Sequence, residues 1–128
     1  MKIIFDFHNQ TNDFLIKNKL LKEAKKILKK FFRDPKTFYL SVFLVSPQKI
    51  KILNKKYFKK NNPTTVLSFP QDEPLKNKKN VEKIILGDIF LCPFEIQKQE
   101  RGIEFFFKHA IFHLLGFSHE EMKKYENP

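Results

Sequence analysis

A chain of 128 residues, 41% of them hydrophobic and including 16 phenylalanines, can fill the core of one domain, and we expect a single domain over residues 1–128. The formal net charge of +11 favours a polyanionic partner such as nucleic acid, although the excess is almost all lysine, which A/T-rich codon usage also produces. One cysteine excludes an internal disulfide, and the most apolar run, residues 103–117, is too short for the ~20 residues that cross a bilayer, so we expect a cytoplasmic protein with no membrane partner.

Patterns of apolar and turn residues predict strands and helices along the chain. In chain order, the predicted elements are a strand at 3–7, a helix at 14–33, a strand at 38–45, a helix from Ser46 to Phe58, a short strand at 64–69, a strand at 81–92, a helix from Pro93 and a helix through His109 and His113. Residues 71–80 are mostly polar and predict an exposed loop. This order indicates an α+β fold, in which a small mixed β-sheet packs with helices.

The first predicted helix carries lysines on the face opposite its apolar stripe. They are Lys17, Lys19, Lys22, Lys25, Lys26, Lys29 and Lys30. Such a face is most simply solvated, and the alternative is a surface that contacts RNA.

Three of the four histidines lie between His109 and His119, with the spacing of a metal site. At ~100° per residue, His109 and His113 project from one face of a helix. Gly116 can take the positive φ of a helix C-cap, so the chain can reverse and return His119 to the same point. The spacing is that of the long zinc-protease motif, but Ala110 stands where a peptidase has its catalytic glutamate. The pattern therefore predicts one metal ion on three histidines without peptidase machinery, and imidazole ligands accept zinc, nickel or copper.

The helix that carries these histidines is predicted to be central and buried, because it is apolar on nearly every side. Its apolar residues are Ile103, Phe105, Phe106, Phe107, Ala110, Ile111, Phe112, Leu114 and Leu115. A buried helix holds metal ligands rigidly. The fourth histidine, His8, follows the first predicted strand and is not tied to the cluster.

Three segments together resemble the YbeY family of bacterial metal-dependent endoribonucleases, also called rRNA maturation factors. They are Pro63-Thr-Thr-Val-Leu-Ser-Phe-Pro70, Leu86-Gly-Asp-Ile-Phe-Leu-Cys92, and the histidine segment, where His109, His113, Leu114, Gly116 and His119 meet the family pattern H-G-x-L-H-L-x-G-Y-D-H. The resemblance covers most of the chain. It implies a small α+β domain, one zinc ion on three histidines, and cleavage of single-stranded RNA in small-subunit ribosomal RNA maturation and ribosome quality control.

Several positions depart from the family pattern. Phe58 falls where the family has an arginine, Asn61 and Ser118 fall where it has aspartates, and Ala110 replaces a glycine. A nearby lysine can supply positive charge to a phosphate, but it lacks the bidentate fork of a guanidinium. The departures bear on catalysis more than on metal binding.

The hypothesis that follows is metal-assisted phosphodiester hydrolysis. Three neutral histidines leave one open position on a tetrahedral zinc ion, as in catalytic sites. Lys59 and Lys60 are predicted to hold the RNA backbone, and Ser68 is a weaker contact candidate. The general base is not identified, and the candidates are Glu120, Glu121 and Asp88.

Two other classes of function stay open. The first is a ribosome-associated RNA-binding factor in which the metal is structural and the basic surface docks on ribosomal RNA, the small subunit or its proteins. The second is a peptidase, against which Ala110 argues.

Overall fold

The structure is a computed structural model that describes residues 1–10, 16–33, 36–71 and 82–126. Its strands are β1 (Lys2–Asn9), β2 (Thr37–Leu44), β3 (Val66–Pro70) and β4 (Lys83–Leu91), and its helices are α1 (Ile16–Phe31), α2 (Pro47–Phe58), α3 (Pro93–Ile96), α4 (Ile103–Leu114) and α5 (His119–Glu126). The predicted α+β class is confirmed. The sequence patterns did not predict α5, and nearly all of the predicted loop, residues 72–80, lies outside the described residues.

The four strands form one mixed sheet in the order β1-β2-β4-β3. β1 pairs with β2, and β2 with β4, in parallel, whereas β3 runs antiparallel along the outer edge of β4. Parallel neighbours need a crossover between them. α1 lies in the crossover from β1 to β2, and α2 and β3 lie in the crossover from β2 to β4.

The two faces of the sheet have different coverings. α1 and α4 cover one face, and the core there includes Leu20, Leu28, Phe38, Phe107 and Ile111, all 0% exposed. α2 covers only part of the other face, around a small cluster of Val45, Ile50, Leu67 and Cys92. α4 packs against β3, β4, α1 and α5, as expected for a central helix. Every helix in the described ranges is too short or too polar to cross a bilayer.

A β-bulge in β4 decides which side chains face which side of the sheet. Tyr39 pairs with Ile85 but Leu40 pairs with Gly87, so β4 contains one extra residue, and Gly87 takes a φ of +132°. Successive residues of a strand point to opposite faces. With unbroken alternation, Asp88 would follow Leu86 into the core. Because of the bulge, Ile89 lies in the core instead and Asp88 faces the side of α2.

Candidate functional site

Three of the four histidines lie together at the junction of α4 and α5. The ring centres of His109 and His113, one turn apart on α4, are 5.1 Å apart. His119, the first residue of α5, lies 6.1 Å from the ring of His109 and 5.7 Å from that of His113. His8 lies elsewhere on β1, where it stacks on Phe43 at 4.6 Å. The structure therefore brings the three predicted ligands together and leaves the fourth histidine apart.

The turn that returns His119 depends on Gly116, which takes a φ of +82°. The amide of Gly116 donates to the carbonyl of His113, and the amide of Phe117 donates to the carbonyl of Phe112, both at 3.0 Å. These two bonds form a Schellman motif, which requires a left-handed residue after the helix. The rings of Phe112 and Phe117 stack at 5.4 Å and complete the motif with its apolar contact. The predicted reversal at Gly116 is confirmed.

A capping box begins α5 and fixes the position of His119. The amide of Glu121 donates to Ser118 Oγ at 3.2 Å, and the amide of Ser118 donates to Glu121 Oε1 at 3.1 Å. Hydrogen bonds from the Ser118 backbone and side chain lower the pKa of Glu121. A carboxylate stabilised as a cap in its ionised form is a poor general base, so Glu121 is the weaker of the two glutamate candidates.

The donor set and its spacing fit a zinc ion. Three imidazoles bound tetrahedrally at about 2.0–2.1 Å have ring centres about 5 Å apart, close to the separations observed between the three histidines. The side chains in their present rotamers do not form a complete site, because among the described residues no three His, Cys, Asp or Glu side chains are placed to hold a metal ion. His113 and His119 are exposed, so rotation of their side chains can direct nitrogens to one point without disturbing the core.

An open cavity of about 280 Å³ lies beside the histidines. Its walls include His109 and His113, with Ser68 from β3 and Phe58 from the end of α2. Ala110 contributes only a methyl group to the wall, which leaves space where a longer side chain would project. Phe58, which falls where the resembled family has an arginine, thus lies at the cavity wall.

The basic turn after α2 is held next to this cavity. Lys59 ends the helix in the left-handed region, with a φ of 58°. The buried side chain of Asn54 donates from Nδ2 to the carbonyl of Asn62 at 2.9 Å and so anchors the turn. Lys59 and Lys60 are exposed, and among the described residues neither lines the cavity wall, whereas the predicted contact Ser68 does.

Asp88 is not part of the histidine site. It lies within β4. It pairs with Phe69, the neighbour of Ser68 on β3. Because Ser68 lines the histidine cavity, Phe69 and Asp88 point to the opposite face of the sheet. Asp88 is therefore excluded as the general base.

Asp88→Asn is expected to raise the free energy of unfolding at neutral pH. Burial raises the pKa of Asp88 from its ordinary value of 3.8, against an opposing hydrogen bond from Ser41. The folded state thus binds the proton more tightly than the unfolded chain, so stability falls as the pH rises above that value. Urea denaturation at pH 7 and near pH 4 measures the effect. The raised pKa of Asp88 is contradicted if Asp88→Asn is less stable than wild type at pH 7. It is also contradicted if the stability gained by Asp88→Asn grows as the pH is lowered.

The family model and the curated relatives that match this chain carry the same description. The model of a family described as Endoribonuclease YbeY matches residues 6–127. The curated relatives include Endoribonuclease YbeY of Prochlorococcus marinus (strain AS9601), 37% identical over 120 residues, which cover 86% of this chain and 65% of that protein. Endoribonuclease YbeY of Mesomycoplasma hyopneumoniae (strain 7448) is 35% identical over 134 aligned positions, covering 96% of this chain and 87% of that protein.

A solved structure shares the fold. The solution structure of TM1509 from Thermotoga maritima superposes with a TM-score of 0.59 at 26% identity, over 96% of this chain and 87% of that one. The chain spans only 65% of the length of the Prochlorococcus relative.

Proposed function

The chain belongs to the endoribonuclease YbeY family, and from this premise we propose that it is a zinc-dependent endoribonuclease of single-stranded RNA. Its role is in the maturation of small-subunit ribosomal RNA and in ribosome quality control. The observation that carries the proposal is the group of three imidazoles, two of which, His109 and His113, line an open cavity of about 280 Å³.

In the proposed site, His109 and His113 would hold the metal from α4, and His119 would hold it from the first turn of α5. A zinc ion held by these imidazoles would supply Lewis-acid chemistry to a phosphate oxygen or to water. The Schellman turn and the capping box keep the third ligand in reach of the first two. Of the acids considered, Glu120 is the remaining candidate for moving a proton, since it neighbours His119 and is exposed.

The basic surface proposed to hold the RNA backbone is the chain from β2 to β3. Residues 45–65 contain six lysines, all of them exposed, and no aspartate or glutamate. Lys59 and Lys60 directly follow Phe58, which lines the cavity. Lysines bind phosphates as point charges, so this surface favours RNA without reading its sequence. Ser68 supplies a hydroxyl at the cavity wall for a phosphate or a 2′-hydroxyl.

Lys59→Gly is expected to stabilise the fold and to weaken RNA binding. A non-glycine residue at φ 58° costs about 1 kcal/mol, and glycine removes that cost together with the charge. The free energy of unfolding should rise by about 0.5–1 kcal/mol, while the slope of log affinity against log salt should fall by about one. Lys25→Ala, on the exposed face of α1, is the control and should leave the slope nearly unchanged. Equal slopes for wild type and Lys59→Gly would place the RNA elsewhere.

The test of the proposed function is cleavage of a labelled single-stranded RNA by zinc-loaded protein. Cleavage that stops on addition of a chelator and resumes with zinc is expected. The same sequence annealed to its complement is the matched control and should stay intact. Intact single-stranded RNA at stoichiometric enzyme would contradict the proposal.

Phe58 favours a second candidate, a ribosome-associated RNA-binding factor with a structural metal. An arginine at this place would give a bidentate contact to a phosphate, whereas the phenylalanine offers only an apolar ring, 46% exposed. The partners of such a factor are ribosomal RNA and the small subunit or its proteins. Retained binding to small subunits, without cleavage of any RNA, would establish this candidate.

A further inference from the structure

A second cavity, of about 340 Å³, lies on the face of the sheet opposite the histidines. It is called the aromatic groove here, and its walls include Leu53, Tyr57, Phe69, Gln71, Asp88 and Phe90. Its volume is within the range of small-ligand sites, about 300–1,000 Å³. No residue of the groove belongs to the proposed metal site.

The aromatic rings of the groove make a wall that a planar group can stack on. The ring centre of Tyr57 lies 5.0 Å from that of Phe69, which lies 5.7 Å from Phe90, and both pairs meet edge to face. Tyr57 is 53% exposed, so part of its ring surface is open to a ligand. Lys56 Nζ lies 5.2 Å from the same ring and places a positive charge at the rim.

The charged group in the groove, the carboxylate of Asp88, is a hydrogen-bond acceptor. The bulge at Gly87 turns Asp88 away from the core and toward this face, where its carboxylate accepts from Ser41. An ionised carboxylate has no donor of its own and has two oxygens, so it also accepts from N–H groups of a ligand. The groove thus combines stacking surface with an acceptor for adjacent donors.

The aromatic groove and the histidine cavity are neighbours across β3, the edge strand of the sheet. Ser68 lines the histidine cavity, and the next residue, Phe69, lines the groove. Phe58 lines the histidine cavity, and its ring centre is 5.8 Å from that of Phe69. A single-stranded RNA that crosses β3 can therefore place a phosphate at the histidines and an adjacent base in the groove.

We propose that the aromatic groove is a subsite for an unpaired nucleobase next to the cleaved phosphate, and that it prefers guanine. This inference rests on the proposed function. The Watson–Crick edge of guanine offers two adjacent N–H donors to one carboxylate, whereas uracil offers a single donor between two acceptors, which the carboxylate repels. Stacking on Tyr57 stabilises any bound base, and hydrogen bonds to Asp88 add the preference for guanine.

Fluorescence anisotropy with two labelled RNAs tests the subsite independently of cleavage. The probes are an oligouridine of about nine nucleotides and the same oligomer with a central guanosine, bound without added metal. Wild type is expected to bind the guanosine oligomer about tenfold more tightly. Asp88→Asn should reduce that ratio to about two or less, because the amide offers a donor as well as an acceptor. Tyr57→Ala should weaken both oligomers about fivefold or more.

Phe94→Ala is the matched control, since Phe94 is an exposed aromatic residue on α3 and not a wall residue of the groove. Thermal unfolding checks that each variant is folded, and the exposed Tyr57 gives a test that does not depend on Asp88. Equal affinity of wild type for both oligomers overturns the subsite, even if the protein cleaves RNA. A guanine preference that Asp88→Asn removes, in a protein that cleaves no RNA, keeps the subsite and contradicts the proposed function.

Discussion

His113→Ala is expected to reduce the cleavage of single-stranded RNA by about a hundredfold or more, through loss of one of three metal ligands. The remaining two imidazoles do not hold a zinc ion in catalytic geometry. The substitution should leave the fold intact, because the side chain is exposed on α4 and alanine is the best helix former. The measurements are the rate of cleavage and the melting temperature of the same preparations.

His8→Ala is the matched control for this experiment. It also removes an imidazole, but from β1, where the ring stacks on Phe43 and its Nε2 lies 2.9 Å from Asp6. The control should cleave RNA at the wild-type rate. Wild-type cleavage by folded His113→Ala protein would show that the histidine cluster is not the reactive site.

Gly87→Ala is expected to lower the free energy of unfolding by about 3 kcal/mol or more. Gly87 has a φ of +132°, where side chains are strongly disfavoured, and a Cβ there would lie 2.2 Å from the carbonyl oxygen of Phe69. That contact is with backbone, so the bulge or the pairing of β3 with β4 must give way. Denaturation in urea measures the loss.

Gly116→Ala separates the two causes of the lost stability at Gly87, which are the positive φ and the contact of the new Cβ with backbone. Gly116 also has a positive φ, +82°, but a Cβ there would meet nothing within 4 Å. Gly116→Ala should therefore lower the free energy of unfolding only by the cost of the positive φ, about 1 kcal/mol. Equal losses for the two substitutions would contradict the steric account of the bulge.

The order of elements was predictable because each rests on local signals. Ser46 and Pro47 mark the start of α2, where the amide of Lys49 donates to Ser46 Oγ at 3.2 Å. The reversal at Gly116 was predictable for the same reason, since a glycine after a helix is a local signal for a left-handed turn. The proximity of the three histidines follows from this turn together with the helical spacing of His109 and His113.

The sheet order and the bulge were not predictable, because they depend on pairing between distant segments. The sequence shows that β4 is a strand but not that it lies between β2 and β3. Strict alternation along β4 would place Asp88 with the core, and only the register against β2 shows that the bulge changes its side. The same limit hid the aromatic groove, whose walls come from α2, β3 and β4.

The helix α5 was missed for a different reason. It is short and polar, so no apolar periodicity indicates a helix there. Its signal is the pair of Ser118 and Glu121, three residues apart, which forms the capping box. This pair also explains why serine serves where the resembled family has aspartate, since both residues are good N-caps.

The measurement that tests the central claim most directly is elemental analysis of protein purified without a histidine tag. The wild-type protein is predicted to contain about one equivalent of zinc per chain, and His8→Ala protein the same amount. His113→Ala protein is predicted to contain little. Less than about half an equivalent of any transition metal in the wild type, or equal metal contents in wild type and His113→Ala, would contradict a metal site on His109, His113 and His119.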